Sequence, residues 1–267
     1  MRIAISTGTF YMLPFARSLE LIRHAGFEYI ELLAHWEGGD GWAMAQNLKG
    51  LATREVLRIV RESGLKISSL HDGGGVIEAG APSVAAKSTA AYLEYGAGEI
   101  PCVVFHAPHS KTDDARWWEG YRAIAGSDLR EIAKQVIVCV ENLLPFDGYQ
   151  VPLLEPAQLL SFAQEFDIYV NLDTTHCAQA GADLLAAART LRERVYSVHL
   201  SDYDFATEKA HVFVGKGSLP LRECLAALDA SVLQTVTLEC NIAYDAGNET
   251  QTIERLRQAR LYAESLI

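Results

Sequence analysis

The sequence predicts an α/β protein, a single (β/α)8 TIM barrel, on three observations. Short apolar runs alternate with longer amphipathic stretches along all 267 residues. Eight such units in this length match barrels of this type, which typically have about 250 residues. Seven of the eight runs have an acidic residue or a histidine at or near their carboxyl end, where the site residues of barrels gather. We therefore expect residues 1–267 to form one domain.

The predicted strands are short runs rich in Val, Ile and Leu, as strands buried on both faces are. They cover Ile3–Ser6, Tyr29–Leu33, Lys66–Leu70, Cys102–His106, Val136–Glu141, Ile168–Asp173, Val195–Leu200 and Val236–Glu239. The helical patterns between them cover Phe15–Ala25, Arg54–Ser63, Val84–Tyr95, Leu129–Lys134, Pro156–Glu165, Ala182–Arg192, Leu219–Leu228 and Thr250–Ser265. Pro156 is a start signal, and Gly26 and Gly64 are stop signals.

Two other architectures are weaker predictions. A doubly wound open sheet would need a glycine fingerprint after an early strand, and Asp72-Gly73-Gly74-Gly75 lacks the GxGxxG spacing. Two smaller domains would need a boundary, and no linker or change of composition marks one.

Composition limits the classes of partner. The chain is 49% hydrophobic and 21% charged, with a net charge of −11, which disfavours electrostatic capture of nucleic acid without ruling it out. MRIAIST is too short an apolar stretch for a signal peptide, and no run approaches the ~20 apolar residues of a membrane helix. We expect a cytoplasmic protein with no membrane contact. Both a monomer and a homo-oligomer are compatible with the sequence.

The five cysteines form no CxxC pair and no closely spaced framework. Cys102, Cys139 and Cys240 lie within or beside apolar runs, so we expect them to be buried free thiols, and the scattered odd count suggests a reducing compartment. Cys177 differs because it follows His176 in a predicted loop, where a nucleophilic role is an alternative.

The residues at the strand ends predict a metal centre. The last four apolar runs carry Glu141, Asp173, His199 and Glu239 at or near their carboxyl ends. Charged groups are rarely buried without a partner. Three carboxylates and one imidazole suit a divalent Mn, Mg, Co, Fe or Zn ion. A second set, His71 and His106 with Glu141 as a bridge, would suit zinc at about 3.5–4 Å from the first metal.

His176 and the turn that contains Lys216 each have both a functional and a structural interpretation. His176 lies three residues after Asp173 and would reach a substrate oxygen, or be a solvated loop histidine. His211 lies in the connection after the seventh strand, next to Gly215-Lys216-Gly217. That turn would bind an anionic group through its N–H groups and Lys216, or be an ordinary turn.

The order of these residues resembles the xylose-isomerase-like TIM-barrel superfamily over essentially the whole chain. The segments that carry the resemblance are GFEYIEL with Glu31, VCVEN, NLDTTH, VHLSD, HVFVGKGSLP and TLEC. Members of this superfamily include sugar isomerases and epimerases, inosose dehydratases and endonucleases that act at apurinic sites. The resemblance therefore implies a metal-dependent enzyme.

The epimerase branch implies that Glu141, Asp173, His199 and Glu239 hold one metal. In that branch Glu141 and Glu239 would exchange a substrate proton next to a metal-polarised carbonyl, and His176 would orient the substrate. The chain departs from this branch at Phe205, where the family has a substrate-binding Arg, and at Asp147, where it has Glu.

The endonuclease branch implies up to three zinc ions. Eight of its nine ligands have counterparts here, at His71, His106, Glu141, Asp173, His176, His199, His211 and Glu239. The ninth position is Lys209, a cation where an aspartate is expected. The region HWEGGDGWAMAQNL after Glu31 has no arginine and suits a small neutral substrate better than a phosphate backbone.

We therefore expect a metal-dependent sugar, sugar-phosphate or polyol isomerase or epimerase. The expected catalytic residues are Glu141, Glu239 and His176, and no organic cofactor is expected. The residues assigned to substrate contact are His211, Lys216, Trp36, Trp42 and Glu31. Of the other loop aromatics, Phe205 would stack on a sugar ring, and Trp117 and Trp118 would stack there or lie at a subunit contact. The alternatives are a zinc phosphodiesterase for abasic DNA and a sugar-binding protein without turnover.

Overall fold

The barrel predicted from the sequence is present. The computed structural model describes residues 1–35, 43–72, 84–111, 114, 116–242, 244 and 248–267. Its parallel strands close in the order β1-β10-β7-β6-β5-β4-β3-β2. The strands are β1 (Arg2–Ser6), β2 (Tyr29–Leu33), β3 (Lys66–Asp72), β4 (Cys102–His106), β5 (Ile137–Glu141), β6 (Tyr169–Asp173), β7 (Val195–Leu200) and β10 (Thr235–Leu238). Each of these eight barrel strands overlaps a predicted one.

Helices follow the strands and form the outer layer. They are α1 (Phe15–His24), α2 (Thr53–Ser63), α3 (Val84–Tyr95), α4 (Trp117–Ala133), α5 (Pro156–Glu165), α6 (Thr174–Gln179), α7 (Leu184–Leu191), α8 (Leu221–Ala227) and α9 (Glu249–Ser265). Short 3₁₀ helices cover Thr7–Phe10 and Ala43–Leu48. The start and stop signals act as expected, because Pro156 begins α5 and Gly64 ends α2 at φ +77°. No helix of the described ranges is long and apolar enough to cross a membrane.

Alternation along the strands separates two faces. In β4, Val103 packs in the main core between strands and helices, whereas Cys102 and Val104 form a separate cluster with Cys139 of β5. Successive side chains of a strand point to opposite faces, so the second cluster lies inside the barrel. Glu141 lies two residues after Cys139, on the same inward face.

The fourth connection differs from the prediction. The sequence predicted only Leu129–Lys134, but α4 begins at Trp117. The first part of α4, WWEGYRAIAG, contains two glycines and three aromatic residues of weak helix propensity. Tertiary packing compensates, since Trp118 stacks on Tyr121 and on Phe162 of α5. These contacts place the two tryptophans within the outer layer of the barrel.

Two elements were absent from the prediction. The connection after β7 forms an antiparallel hairpin of β8 (Asp202–Asp204) and β9 (Lys209–Val212). The segment after Asp173 is the short helix α6 and not a loop. Cys177 is buried in α6, and burial raises the pKa of its thiol to about 12, which argues against a nucleophilic role. All five cysteines are free and buried, as expected for Cys102, Cys139 and Cys240.

Candidate metal centre

Parallel pairing brings the strand-end residues to one level of the barrel. His106 of β4 is in register with Glu141 of β5, and Asp173 of β6 is in register with His199 of β7. Glu239 directly follows β10, which pairs with β7. The carboxyl ends of the strands therefore present these side chains to the same mouth.

Four of these side chains form one cluster. Glu141, Asp173, His199 and Glu239 offer ligand atoms that all lie within 4.8 Å of one another. His199 Nδ1 lies 2.9 Å from Glu239 Oε2, 3.1 Å from Glu141 Oε2 and 3.9 Å from Asp173 Oδ2. Glu141, Asp173 and His199 are fully buried, and Glu239 is 8% exposed.

The chemistry of this cluster fits a divalent cation. Among the described residues, Glu141 Oε1, Asp173 Oδ2 and His199 Nδ1 are buried and make no hydrogen bond of regular geometry. Imidazoles lie beside the carboxylate oxygens, with His176 Nδ1 at 3.0 Å from Glu141 Oε1 and 3.9 Å from Asp173 Oδ2. A divalent cation in contact with these atoms would compensate the carboxylates without a second proton on the imidazoles. Three carboxylates with one imidazole form the donor set that Mn²⁺, Mg²⁺, Co²⁺ or Zn²⁺ accepts.

Asp173 is fixed by both of its neighbours. Its Oδ1 accepts from the backbone N–H of His176 at 2.6 Å, which makes Asp173 the N-cap of α6 and leaves Oδ2 directed to the cluster. Asn142 accepts from Asp173 N–H at 2.8 Å and donates to its carbonyl at 3.0 Å. One aspartate therefore both starts a helix and faces the site.

Sequence reasoning missed the residues that orient the cluster. Asn171 Nδ2 donates to Glu141 Oε2 at 3.2 Å, and Ser197 Oγ donates to Asn171 Oδ1 at 2.7 Å. Both lie two residues before a predicted ligand, Asp173 and His199 respectively, and so on the same face. Applying that period inward from the ligands would have found them.

The second predicted metal set is also brought together. His71, His106 and Glu141 offer ligand atoms within 4.8 Å of one another. His71 Nε2 lies 3.3 Å from Glu141 Oε2, and His106 Nε2 lies 4.0 Å from Glu141 Oε1. Glu141 therefore belongs to both groups of ligand atoms.

His176 and His211 lie nearer the mouth. Each holds its Nδ1 against a backbone carbonyl, at 3.1 Å from Asn142 O for His176 and 3.0 Å from Glu239 O for His211. Their rings are 5.4 Å apart, and with Asp173 they offer a third group of ligand atoms. The β8–β9 hairpin delivers His211, which has the unusual φ of +49°.

A cavity of about 490 Å³ adjoins the cluster. One side is polar and carries His106, His176, His211 and Glu239. The rest is lined by Gly8, Thr9, Tyr11, Met12, Met44, Cys240, Asn241, Ile242 and Tyr244. A space of this size suits a small molecule.

Comparisons with known proteins agree with this fold. Residues 19–262 match the family described as xylose isomerase-like TIM barrel. The chain belongs to this family. The resemblance predicted from the strand-end motifs is thereby confirmed. An uncharacterized protein of Mycobacterium leprae (strain TN) is 26% identical, over 98% of this chain and 98% of its own.

Solved structures of the family share the architecture. An L-ribulose 3-epimerase superposes with a TM-score of 0.73 at 18% identity, over 99% of this chain and 94% of that chain. An AP endonuclease, family 2, from Brucella melitensis superposes with a TM-score of 0.68 at 16% identity, over 90% and 93%. Identities this low establish a common fold and leave the reaction to the site itself.

Two residues assigned to substrate contact do not face the cavity. Glu31 is fully buried and contacts His199 and Ser69. Lys216 is exposed, and the N–H groups of Gly215 and Gly217 both donate to Asp202 Oδ2, at 3.1 and 2.9 Å. Those two N–H groups are therefore already bonded to the carboxylate of Asp202. The turn around Lys216 is a structural turn.

The remaining residues named from the sequence are three loop aromatics and Asp147. Trp36 and Trp42 fall outside the described residues. Phe205, at the position of the family's arginine, is 57% exposed and rests on Tyr203 with ring centroids 4.9 Å apart. Asp147, at the position of the family's second glutamate, is exposed.

The charges of the cluster displace the pKa values of its members. Burial raises the pKa of Glu141, but His199 and His71 outweigh it and hold that pKa well below its ordinary value. Burial lowers the pKa of His176, but Asp173 and Glu141 outweigh it and raise that pKa to about 9. The pKa of His199 is raised well above its ordinary value, because Glu141 and Glu31 outweigh burial. Protons on imidazoles thus balance the buried carboxylates.

Zinc binding at pH 7 is expected to release at least about one proton per ion, because a ligating imidazole must be neutral. His199 has a raised pKa and would lose its proton to the metal. Titration calorimetry in buffers of different ionisation heat measures this release. Apparent affinity should also rise by about tenfold per pH unit for each proton released. A binding heat that does not depend on the buffer would contradict the expectation.

Proposed function

We propose that the protein is a divalent-metal-dependent isomerase or epimerase of a small, uncharged, sugar-like substrate. The observation that carries the proposal is the buried cluster of Glu141, Asp173, His199 and Glu239 beside the cavity. Three carboxylates within 4.8 Å of one another would repel in the absence of compensating charge. A divalent ion held by these four residues would polarise a substrate carbonyl and stabilise the charge that develops on it.

The two glutamates are suited to move a proton. Glu239 lines the cavity, which supports a role for its carboxylate in removing the proton from the carbon next to the carbonyl. Glu141 lies deeper and would deliver a proton to the other face, and both glutamates lie within about 3 Å of His199 Nδ1. His176, whose Nδ1 lies 3.0 Å from Glu141 Oε1, lines the cavity and would orient a substrate hydroxyl.

The surroundings of the cavity favour an uncharged substrate over a sugar phosphate. None of the described residues that line the cavity is Lys or Arg. The two long stretches outside the described residues, 36–42 and 73–83, read WEGGDGW and GGGVIEAGAPS and contain no basic residue. A phosphate group is usually held by basic side chains, and none of the described residues that line the cavity supplies one, which favours an uncharged substrate.

The alternative function is hydrolysis of abasic DNA by a multinuclear zinc centre. It is favoured by the two additional groups of ligand atoms, at His71, His106 and Glu141 and at Asp173, His176 and His211. The AP endonuclease of Brucella melitensis has the same fold. Against it, Lys209 is exposed and is no member of the third group, and the net charge is −11.

Isotope exchange separates these functions. Protein loaded with Mn²⁺, Co²⁺ or Zn²⁺ and incubated in D₂O with a panel of uncharged ketoses should incorporate deuterium next to the carbonyl of at least one of them. Chelation should stop the exchange, and re-addition of metal should restore it. Metal-loaded protein that exchanges no ketose or inosose but cuts abasic duplex DNA would replace the first function by the second.

We also propose that residues 1–267 form one domain. The barrel begins at Arg2 and closes with β10, and α9 then returns to pack against α1 and β1. The first strand and the last helix therefore pack in the same barrel. A single cooperative unfolding transition is the expected result.

A further inference from the structure

We propose that Glu31 is a positioning residue that selects the tautomer of His199 and so keeps Nδ1 available to the metal. The inference rests on the proposed metal centre and assigns Glu31 a role there that is neither ligation nor substrate contact. It concerns a buried carboxylate that lies behind the cluster, on the side away from the cavity lining.

The contacts of Glu31 are all internal. Both carboxylate oxygens lie 3.0 Å from His199 Nε2. Ser69 Oγ donates to Oε2 at 2.8 Å, and His71 Nδ1 lies 3.4 Å from Oε1. The side chain is fully buried and does not line the cavity. Glu31 lies on the Nε2 side of His199, whereas Glu239, which lines the cavity, lies on the Nδ1 side. The imidazole therefore lies between Glu31 and a substrate, which leaves Glu31 to act on the imidazole.

The two nitrogens of His199 face opposite sets of carboxylates. Nε2 faces Glu31, and Nδ1 faces Glu141 and Glu239 at 3.1 and 2.9 Å. A neutral imidazole carries one N–H, and an ionised carboxylate only accepts. If that proton sat on Nδ1, it would occupy the lone pair that a metal needs. Glu31 competes for the proton from behind, which places N–H on Nε2 and the lone pair toward the cluster.

A different role is possible on distance alone. Glu31, His71 and His199 offer ligand atoms within 4.8 Å of one another, so these three residues could themselves hold a cation. In that case His199 would ligate through Nε2 and carry no proton there. The two roles thus predict opposite protonation of the same ring, and they differ in the number of ions bound.

Zinc affinity of the Glu31→Gln variant tests the inference. Gln keeps the size of the side chain but removes its charge, so both tautomers of His199 become accessible. Competition with a chromophoric chelator should show zinc binding weakened by about 10–100-fold, the usual effect of losing such an outer partner. The matched control is Ser69→Ala, which removes a hydrogen bond from the same carboxylate but leaves its contact with His199. It should change affinity by less than about threefold, since the tautomer is kept.

Long-range ¹H–¹⁵N spectra of the zinc-loaded natural protein test it without any substitution. We expect His199 to carry its proton on Nε2 and to bind zinc through Nδ1. A proton on Nδ1, zinc on Nε2, or a Glu31→Gln variant that binds zinc as tightly as the natural protein would overturn the inference while leaving the metal centre in place. Failure of the natural protein to bind zinc would overturn both. If Glu31→Gln does not fold, the spectra decide alone.

Discussion

Turnover is expected to fall by about 10²–10⁴-fold when Glu239 is replaced by Gln, the usual contribution of a positioned acid or base. Glu239 lines the cavity and belongs to the metal cluster, so it would act at the reacting carbon. Gln keeps an oxygen able to contact a metal but cannot accept the substrate proton. The measurement is kcat on a ketose that the natural protein exchanges, with metal content determined on the same sample.

The control for this change is Glu193→Gln. Glu193 is exposed and lies just before β7, at the end of the barrel away from the site, so its loss of charge should leave kcat unchanged. Excess metal separates two causes of a low rate. A Glu239→Gln variant that regains full turnover at high metal concentration would show a ligand role only, and full turnover without added metal would contradict both roles.

Metal binding is expected to be lost when His199 is replaced by Ala. His199 Nδ1 is the nitrogen within 4 Å of all three carboxylates of the cluster. The loss should exceed the about 10–100-fold effect of removing an outer partner, because a ligand itself is removed. Elemental analysis of the purified variant, together with zinc competition, measures it.

The matched control is His24→Ala, since His24 is exposed at the end of α1. Thermal stability provides a second readout. A ligand that binds only the folded state raises the melting temperature, so zinc should raise it for the natural protein and for His24→Ala but not for His199→Ala. A variant without His199 that still binds one ion per chain with the natural affinity would place the metal elsewhere.

The fold was predictable because its signals are local and repeated. Buried strands of a parallel barrel are continuous apolar runs, and those ending at His106, Glu141 and Asp173 end where predicted. Elements that depend on tertiary contacts were missed. The first part of α4 has poor helix propensity and is stabilised by packing of Trp118. The β8–β9 hairpin is connected to the turn that follows it through Asp202, whose carboxylate accepts from the N–H groups of Gly215, Gly217 and Leu219.

The site was predictable where a strand end implies a shared mouth. The positions of Glu141, Asp173 and His199 at strand ends were enough to predict that these residues lie together, and the structure confirms it. The supporting residues Asn171 and Ser197 were not found, because the two-residue period of the strands was not followed inward from Asp173 and His199. Glu31 was assigned to substrate contact because it was counted among the strand-end residues and lies in a segment typical of the family. It is the third residue of β2 and is fully buried, so its side chain lies below the mouth of the barrel.

A crystal structure of the metal-loaded protein, with anomalous data collected at the absorption edge of the added metal, tests the central claim most directly. We expect an anomalous peak in contact with Glu141, Asp173, His199 and Glu239. Further peaks at His71 and His106 or at His176 and His211 would favour the multinuclear alternative. Metal-loaded crystals with no peak at the four-residue cluster would contradict the account.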